Sequence, residues 1–347
     1  MENNLSITEE KKLLFNILFS EKKISHESFT SLDYGKIVKI ASSNLMLPAL
    51  YHNLKIGKYL NFVPEDFKNY LFEIYNTNYH RNLKLIEEVN YISEIFNKKN
   101  IRHVFIKGAG CILSDIYLDI GERMVGDIDV LVEKKKSYEA VNLLEKKGYK
   151  TQGKIFLSKL NRHHVRQVCP KKLFAIEIHR EILKYPHENL LNVEELLREI
   201  KKINNVNVPT YKNQLLINLY NSSINDSEFE KLYVNSRTIY DHILINKKAM
   251  IKTNSMPQDK FSKRFLLILK NYGLIEKLKL KLYDEIIILR INLKLKYKFY
   301  CLTEDLILKL KKKIMTNFHK ILTILKDRDY LIYTFGKIFN KKGSQTF

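Results

Sequence analysis

The repeat period of the apolar residues changes twice along this chain, and that change restricts the fold more than any other feature. From Glu9 to Lys99 apolar side chains recur every three or four positions, as in Leu83, Ile86, Val89, Ile92 and Ile95, the spacing of one helix face. Asn100 is placed to stop the last of these helices. Between residues 100 and 180 the period shortens to two, in RHVFIK (102–107), DIDVLVE (127–133), HHVRQV (163–168) and LFAIEIH (173–179). The last two runs flank Cys-Pro-Lys-Lys and are expected to form an antiparallel hairpin. A helix from about Lys136 to Lys147 ends at Gly148, a natural C-terminal cap. After Glu181 the helical period returns and persists. The expectation is an α+β chain: an N-terminal helical segment over 1–99, a small mixed-sheet core over 100–182, and a basic helical region over 183–347.

Composition agrees with that division. Eleven Gly and six Pro in 347 residues fall well below the roughly 12% of average usage, so the chain lacks the turn residues that an all-β sandwich or barrel consumes. With 45% hydrophobic and 28% charged residues it lies outside the disordered class despite a net charge of +22. Cys111, Cys169 and Cys301 are odd in number and far apart, which fits neither a disulfide framework nor a thiolate zinc site and points to a reducing compartment; Cys111 and Cys169 read as small buried apolar residues. The N-terminus carries acids before its apolar stretch, unlike a signal peptide. Apolar runs such as Ile286 to Leu289 are broken far short of the ~20 residues that span a bilayer. A soluble, cytoplasmic protein with no membrane span is expected.

The charge is uneven. Residues 251–347 hold 22 Lys and Arg against 8 Asp and Glu, so +14 of the total sits in the C-terminal third. Such a surface attracts nucleic acid or another anionic partner. It is equally the solvated face of core-facing helices: Ile307, Leu310, Ile314, Phe318, Ile321 and Leu325 form one stripe, with Lys311, Lys312, Lys313 and Lys320 largely elsewhere.

The chemistry concentrates in Gly126-Asp127-Ile128-Asp129-Val130-Leu131-Val132. On a strand, residues i and i+2 share a face, which sets two carboxylates side by side about 6 to 7 Å apart along the chain. They would repel one another and resist burial unless something cationic sat between them, and a hard divalent ion such as Mg²⁺ is the natural choice. In Phe174-Ala175-Ile176-Glu177-Ile178-His179, alternation puts Glu177 opposite the apolar face as a third acid. Three carboxylates can hold two metal ions that clamp the attacking and leaving oxygens of an in-line phosphoryl displacement. Glu177 as a solvated edge-strand residue is the other reading. His163, His164 and His179 lack paired ligand spacing and read as hydrogen-bonding strand residues. Upstream, Phe105-Ile106-Lys107-Gly108-Ala109-Gly110 runs from a strand into glycines that could open a helix, letting backbone approach a phosphate.

These runs together resemble a known family. Ile106-Lys107-Gly108-Ala109, Ser114-Asp115-Ile116-Tyr117 and Gly121-Glu122-Arg123-Met124-Val125-Gly126-Asp127-Ile128-Asp129-Val130-Leu131-Val132 are similar to the uncharacterised bacterial nucleotidyltransferase family of the polymerase-β-like superfamily. Residues 36–54, Gly148-Tyr149, Glu177-Ile178-His179 and residues 237–241 extend the likeness over roughly 35–245, leaving the Lys-rich segment beyond uncovered. The resemblance implies a polymerase-β-like nucleotidyltransferase core, with Asp127 and Asp129 as the metal-binding pair and Glu177 at the third acidic position, where Asp is commoner. It also implies Gly108 at the nucleotide-phosphate turn, although the gap from Gly108 to Asp127 is longer than in the best understood members. Lys107 and Arg123 are triphosphate contacts by charge, or else surface or strand-end residues.

The function these readings imply is transfer of an NMP from an NTP, with Mg²⁺ or Mn²⁺, to an acceptor hydroxyl or phosphate. The acceptor would be a small molecule, a peptide or protein, or an RNA, and the basic C-terminal third favours an anionic one. Asp127, Asp129 and Glu177 would be the catalytic and metal-holding set, and Lys107, Gly108 and Arg123 would contact the NTP. The alternative is a non-catalytic nucleotide- or nucleic-acid-binding protein that keeps the fold, against which the three clustered acids argue.

Overall fold

The computed structural model describes residues 8–152, 162–252, 255–275, 278, 280–297, 302–303, 306–310 and 313–314. Four helices open the chain: α1 (Glu9–Phe19), α2 (Tyr34–Ser43), α3 (Leu47–Ile56) and α4 (Glu65–Lys98). Thr8 and Asp33 start the first two by accepting backbone N–H groups of Lys11 and Lys36. The 34 residues of α4 extend about 50 Å at 1.5 Å per residue. Asn100 adopts a left-handed conformation just beyond it, as its place in the sequence suggested. Asn78 and Asn82, both buried on α4, donate to the carbonyls of Ile120, Gly121 and Arg123. The long helix thereby fixes the chain that enters the acidic strand.

The period-two region folds as β1 (His103–Phe105), α5 (Lys107–Leu113), β2 (Asp127–Val132), α6 (Ser137–Lys146), β3 (Lys150–Thr151), β4 (Gln167–Val168) and β5 (Ala175–His179). The sheet order is β1-β2-β5-β4-β3. Only β2 and β5 run parallel; the other neighbours are antiparallel. Ile128, Val130, Val132, Ile176 and Ile178 are wholly buried, which supplies the apolar face that the alternation required. The expected hairpin is present through the pairing of Gln167 with Ile176, and β5 is its inner strand. Gly148 caps α6 at φ 91°.

Beyond β5 lie α7 (Val193–Arg198), β6 (Ile200–Ile203), β7 (Val206–Pro209), α8 (Tyr211–Tyr220), a π-helical turn over Asn221–Asn225, α9 (Glu228–Lys231), α10 (Ser236–Ala249), α11 (Lys260–Asn271) and α12 (Leu282–Lys296). The expectation of unbroken helix after Glu181 therefore fails at residues 200–209. There β6 and β7 form a separate two-stranded hairpin. Its turn, Asn204-Asn205, has both residues at positive φ, the conformation that closes two-residue hairpins. β7 lies beside β1, and Asn207 donates to the carbonyl of His103. α8 and α10 pack together, and α8 also meets α5, so the C-terminal helices cover the start of the site. No helix among the described residues is long and apolar enough to cross a membrane. Of the expected core-facing stripe, Ile307, Leu310 and Ile314 are instead exposed, at 62%, 54% and 66%, so this part of it seats against no core among the described residues. Phe318, Ile321 and Leu325, with Cys301, Lys311, Lys312 and Lys320, lie outside the described residues.

Candidate active site

The parallel register of β2 and β5 assembles the acids. It aligns Asp127 with Ala175, Asp129 with Glu177 and Leu131 with His179, so the odd-numbered residues of both strands share one face. Because β5 is flanked by β2 and β4, Glu177 is not on an edge strand. His179, with no exposed surface, turns its Nε2 to within 2.7 Å of Asp129 Oδ1 and 3.6 Å of Glu177 Oε2. Its Nδ1 faces the carbonyl of Glu181 at 3.3 Å, which fixes the ring plane. His163 bridges the backbone of His179, while burial pushes the His164 imidazole down to about 4.

The turn out of β1 adds a cation. The backbone N–H of Ile106 donates to the carbonyl of Asp129, and the next residue, Lys107, adopts φ 54°, a left-handed conformation uncommon for a side chain of this size. Its Nζ donates to Asp129 Oδ1 at 2.6 Å. Backbone strain at such a position persists where the surroundings over-determine it. One surrounding constraint is Gly110, where a Cβ would stand 2.4 Å from the carbonyl oxygen of Phe105, so the strand-to-helix turn closes only around a glycine. Gly108 is buried, and a Cβ there would meet Val125 at 3.0 Å.

Arg166, just before β4, bonds Asp127 through Nη2 and places Nε 3.5 Å from Glu177 Oε1. The cationic partners that the repelling acids required are therefore protein groups: Arg166 for Asp127 and Glu177, Lys107 and His179 for Asp129. Burial pushes the Asp129 carboxyl up, but Lys107 and the hydrogen bond from His179 outweigh it and hold the group far below the usual carboxylate range. The hydrogen bond with His179 likewise lowers Glu177 against its burial.

Arg123 is placed elsewhere. Its Nε lies 3.0 Å from both carboxylate oxygens of Asp241 on α10, Nη2 lies 2.9 Å from Oδ2, and Nη1 donates to the carbonyl of Met124. The Tyr117 hydroxyl donates to the same carboxylate at 2.7 Å. Of the six residues singled out by sequence, the structure brings Asp127, Asp129, Glu177 and Lys107 together, leaves Gly108 beneath the turn, and commits the Arg123 guanidinium to the helical layer.

Arg166 and the site role of His179 were missed by sequence reasoning. A signal for Arg166 existed: continuing the Gln167–Ile176 register by one residue sets Arg166 opposite Glu177. Ligand atoms of Asp129, Glu177 and His179 all lie within 4.8 Å of one another, close enough to share one ion. Carboxylate oxygens suit Mg²⁺ or Mn²⁺, and the imidazole nitrogen suits a transition metal. Asp127 stands beside this group under Arg166.

A mixed sheet that presents clustered acids from two parallel strands beside a lysine turn is a frame for phosphate chemistry. The chain matches the family described as uncharacterised nucleotidyltransferase over residues 30–220, more than half its length, and belongs to that family. No curated protein matches it. Among solved structures it is similar to the solution structure of the antibiotic-resistance factor ANT(2'')-Ia, at 10% identity and TM-score 0.34 over 57% of this chain and 94% of that one. A second is the crystal structure of an antigenic nucleotidyltransferase-like protein from Paracoccidioides brasiliensis, at 14% identity and TM-score 0.37 over 55% and 89%.

Proposed function

We propose that this nucleotidyltransferase moves an NMP from an NTP onto an acceptor hydroxyl or phosphate with the help of Mg²⁺ or Mn²⁺. The observation that carries this reading is the Asp129–Glu177 alignment across β2 and β5, with Lys107 closing on Asp129 at 2.6 Å. Asp129 and Glu177 would hold the metal, with Asp127 joining them once Arg166 swings off it, and His179 would orient Asp129 or add a nitrogen ligand. The bound ion supplies charge neutralisation at the reacting phosphate and acidifies the attacking hydroxyl. Lys107 would follow the phosphates as negative charge moves onto the pyrophosphate, since it is a flexible cation beside the acids. Gly108, under Val125, supports the turn that aims Lys107.

Two measurements test this. Calorimetric titration with ATP and with GTP, in Mg²⁺ and in EDTA, should show binding only with the metal, because Lys107 and Arg166 are engaged by the acids and a divalent ion is what would join those acids to a triphosphate. Equal affinity in both conditions would refute the metal site. Incubation of each labelled NTP with the protein and a cell extract should label an acceptor. NTP binding without labelled product in any metal would favour the non-catalytic alternative.

A further inference from the structure

Beside Lys107, a cavity of about 90 Å³ opens between α5, α8 and α10. It is smaller than the roughly 300–1,000 Å³ pockets that enclose a drug-sized ligand, so it suits one end of a molecule. Its polar groups are not balanced. Gln214 is 4% exposed, and its Nε2 donates to Ser114 Oγ at 2.6 Å and to the carbonyl of Pro209 at 2.9 Å. These two bonds fix the amide, leaving Oε1 buried with no partner among the described residues. Asn218 Oδ1, one helical turn on along α8, is also buried and unpartnered. The fixed Gln214 oxygen and the buried Asn218 oxygen therefore call for O–H or N–H donors, because a buried acceptor left unmade is costly.

The charged lining is just as specific. Arg123 and Asp241 neutralise one another, and Lys107 is occupied by Asp129. Arg237 remains: it lines the cavity, and its guanidinium makes no hydrogen bond or ion pair among the described residues. Burial and the neighbouring Arg123 lower its affinity for its proton, outweighing Asp241 and Asp226, which support the charge without bonding the guanidinium. The acid on the rim, Asp226, is pushed up by burial and accepts from Asn221 at 3.2 Å. It belongs to the end of the π-helical turn, a rare element that often marks functional positions. Asn225 anchors that turn to the carbonyl of Ile182 and the backbone N–H of Lys184, just beyond β5.

We propose that this cavity is a subsite for a hydroxyl-bearing phosphate ester, with Arg237 gripping the phosphate and Gln214, Asn218 and Asp226 accepting from its hydroxyls. The ester is either the sugar-phosphate part of the NTP or a phosphorylated acceptor. The proposal rests on the nucleotidyl-transfer reading for its role, though not for its existence.

The test is calorimetry on the full chain with ribose 5-phosphate as probe, against ribose and inorganic phosphate alone. The parent should bind the ester at least tenfold more tightly than either fragment. Arg237→Gln should lose at least tenfold toward the ester with ribose unchanged, and Asn218→Leu, which leaves the guanidinium in place, should weaken ester and ribose alike. A parent that does not discriminate ester from fragments, or two variants that bind as the parent does, overturns the subsite. Repeating the titration with a saturating non-hydrolysable ATP analogue and Mg²⁺ separates the sources: competition assigns the site to the NTP, and undiminished binding assigns it to the acceptor. Failure of extract labelling would refute transfer without touching these affinities, and loss of ester binding would refute the subsite without touching transfer.

Discussion

The buried contact between Arg123 and Asp241 should be a principal tie between the acidic strand's entry loop and α10, and its strength can be worked out. The two side chains are 11% and 6% exposed and joined by three N–O contacts of 2.9–3.0 Å, with the Tyr117 hydroxyl as a further donor. Burial works against the Arg123 charge, yet Asp241 beside it raises the guanidinium above its ordinary value, so the charged pair is the stable state. Removing one partner leaves the other charge buried alone, which costs about 3–5 kcal/mol. That is a large share of the ~5–15 kcal/mol typical of folded proteins. Asp241→Leu and Arg123→Met should therefore each lower the melting temperature by about 10 °C, at roughly 2–4 °C per kcal/mol. The double variant replaces an ion pair with apolar groups of similar volume and should recover most of the loss. Urea denaturation of the parent, both singles and the double measures the coupling, expected at about 3 kcal/mol or more. A coupling below about 1 kcal/mol would show that the pair is not a tie. It would also return Arg123 to the role its charge first suggested, a cation free to meet phosphate.

The acids should separate by stability. Asp129→Asn should abolish transfer and also cost about 1–3 kcal/mol, because Lys107 and His179 lose a charged acceptor. Asp127→Asn should abolish transfer with little change in melting temperature, since its partner Arg166 is 44% exposed and such pairs contribute little. Because Asp129 and Glu177 are lowered in the folded state, their stabilisation is complete above the ordinary carboxylate values near pH 4 and is lost as pH falls further. Melting temperatures between pH 3 and 6 should fall on the acid side in the parent and less steeply in Asp129→Asn; parallel curves would contradict this. Gly110→Ala should cost about 2 kcal/mol or more, as the added Cβ meets the Phe105 carbonyl at 2.4 Å and the turn carrying Lys107 must shift.

Isolated, the two acids of β2 read as a repelling pair, and removing one charge would then leave the fold no weaker. Asp129 behaves otherwise because of groups from three separate places: Lys107 from the turn after β1, His179 from β5, and the carbonyl of Glu181 that sets the His179 ring. Period-two alternation reveals which residues share a face, so Asp127, Asp129, Glu177 and the apolar Ile128, Val130, Ile176 and Ile178 were legible. It does not reveal which strands are neighbours. Only the parallel placement of β5 beside β2 brings His179 to Asp129, and that pairing crosses the 42 residues between Val132 and Ala175.

Two placements that the sequence could not reveal share one physical origin. Arg123 was legible as a cation near the acids, but its partner Asp241 lies 118 residues away on a helix that sequence pattern could place on no particular side of the sheet. The β6–β7 hairpin escaped because Ile200-Lys201-Lys202-Ile203 carries two adjacent lysines where a half-buried strand would alternate, and Asn204-Asn205 was the one local cue. That hairpin is not peripheral to the chemistry. β7 lies beside β1 and ends at Pro209, whose carbonyl holds the Gln214 amide and so turns a buried oxygen into the cavity beside Lys107. A substitution that loosens the Asn204-Asn205 turn should therefore reach the cavity through Pro209 and Gln214, while the carboxylates, held by β2 and β5, stay where they are.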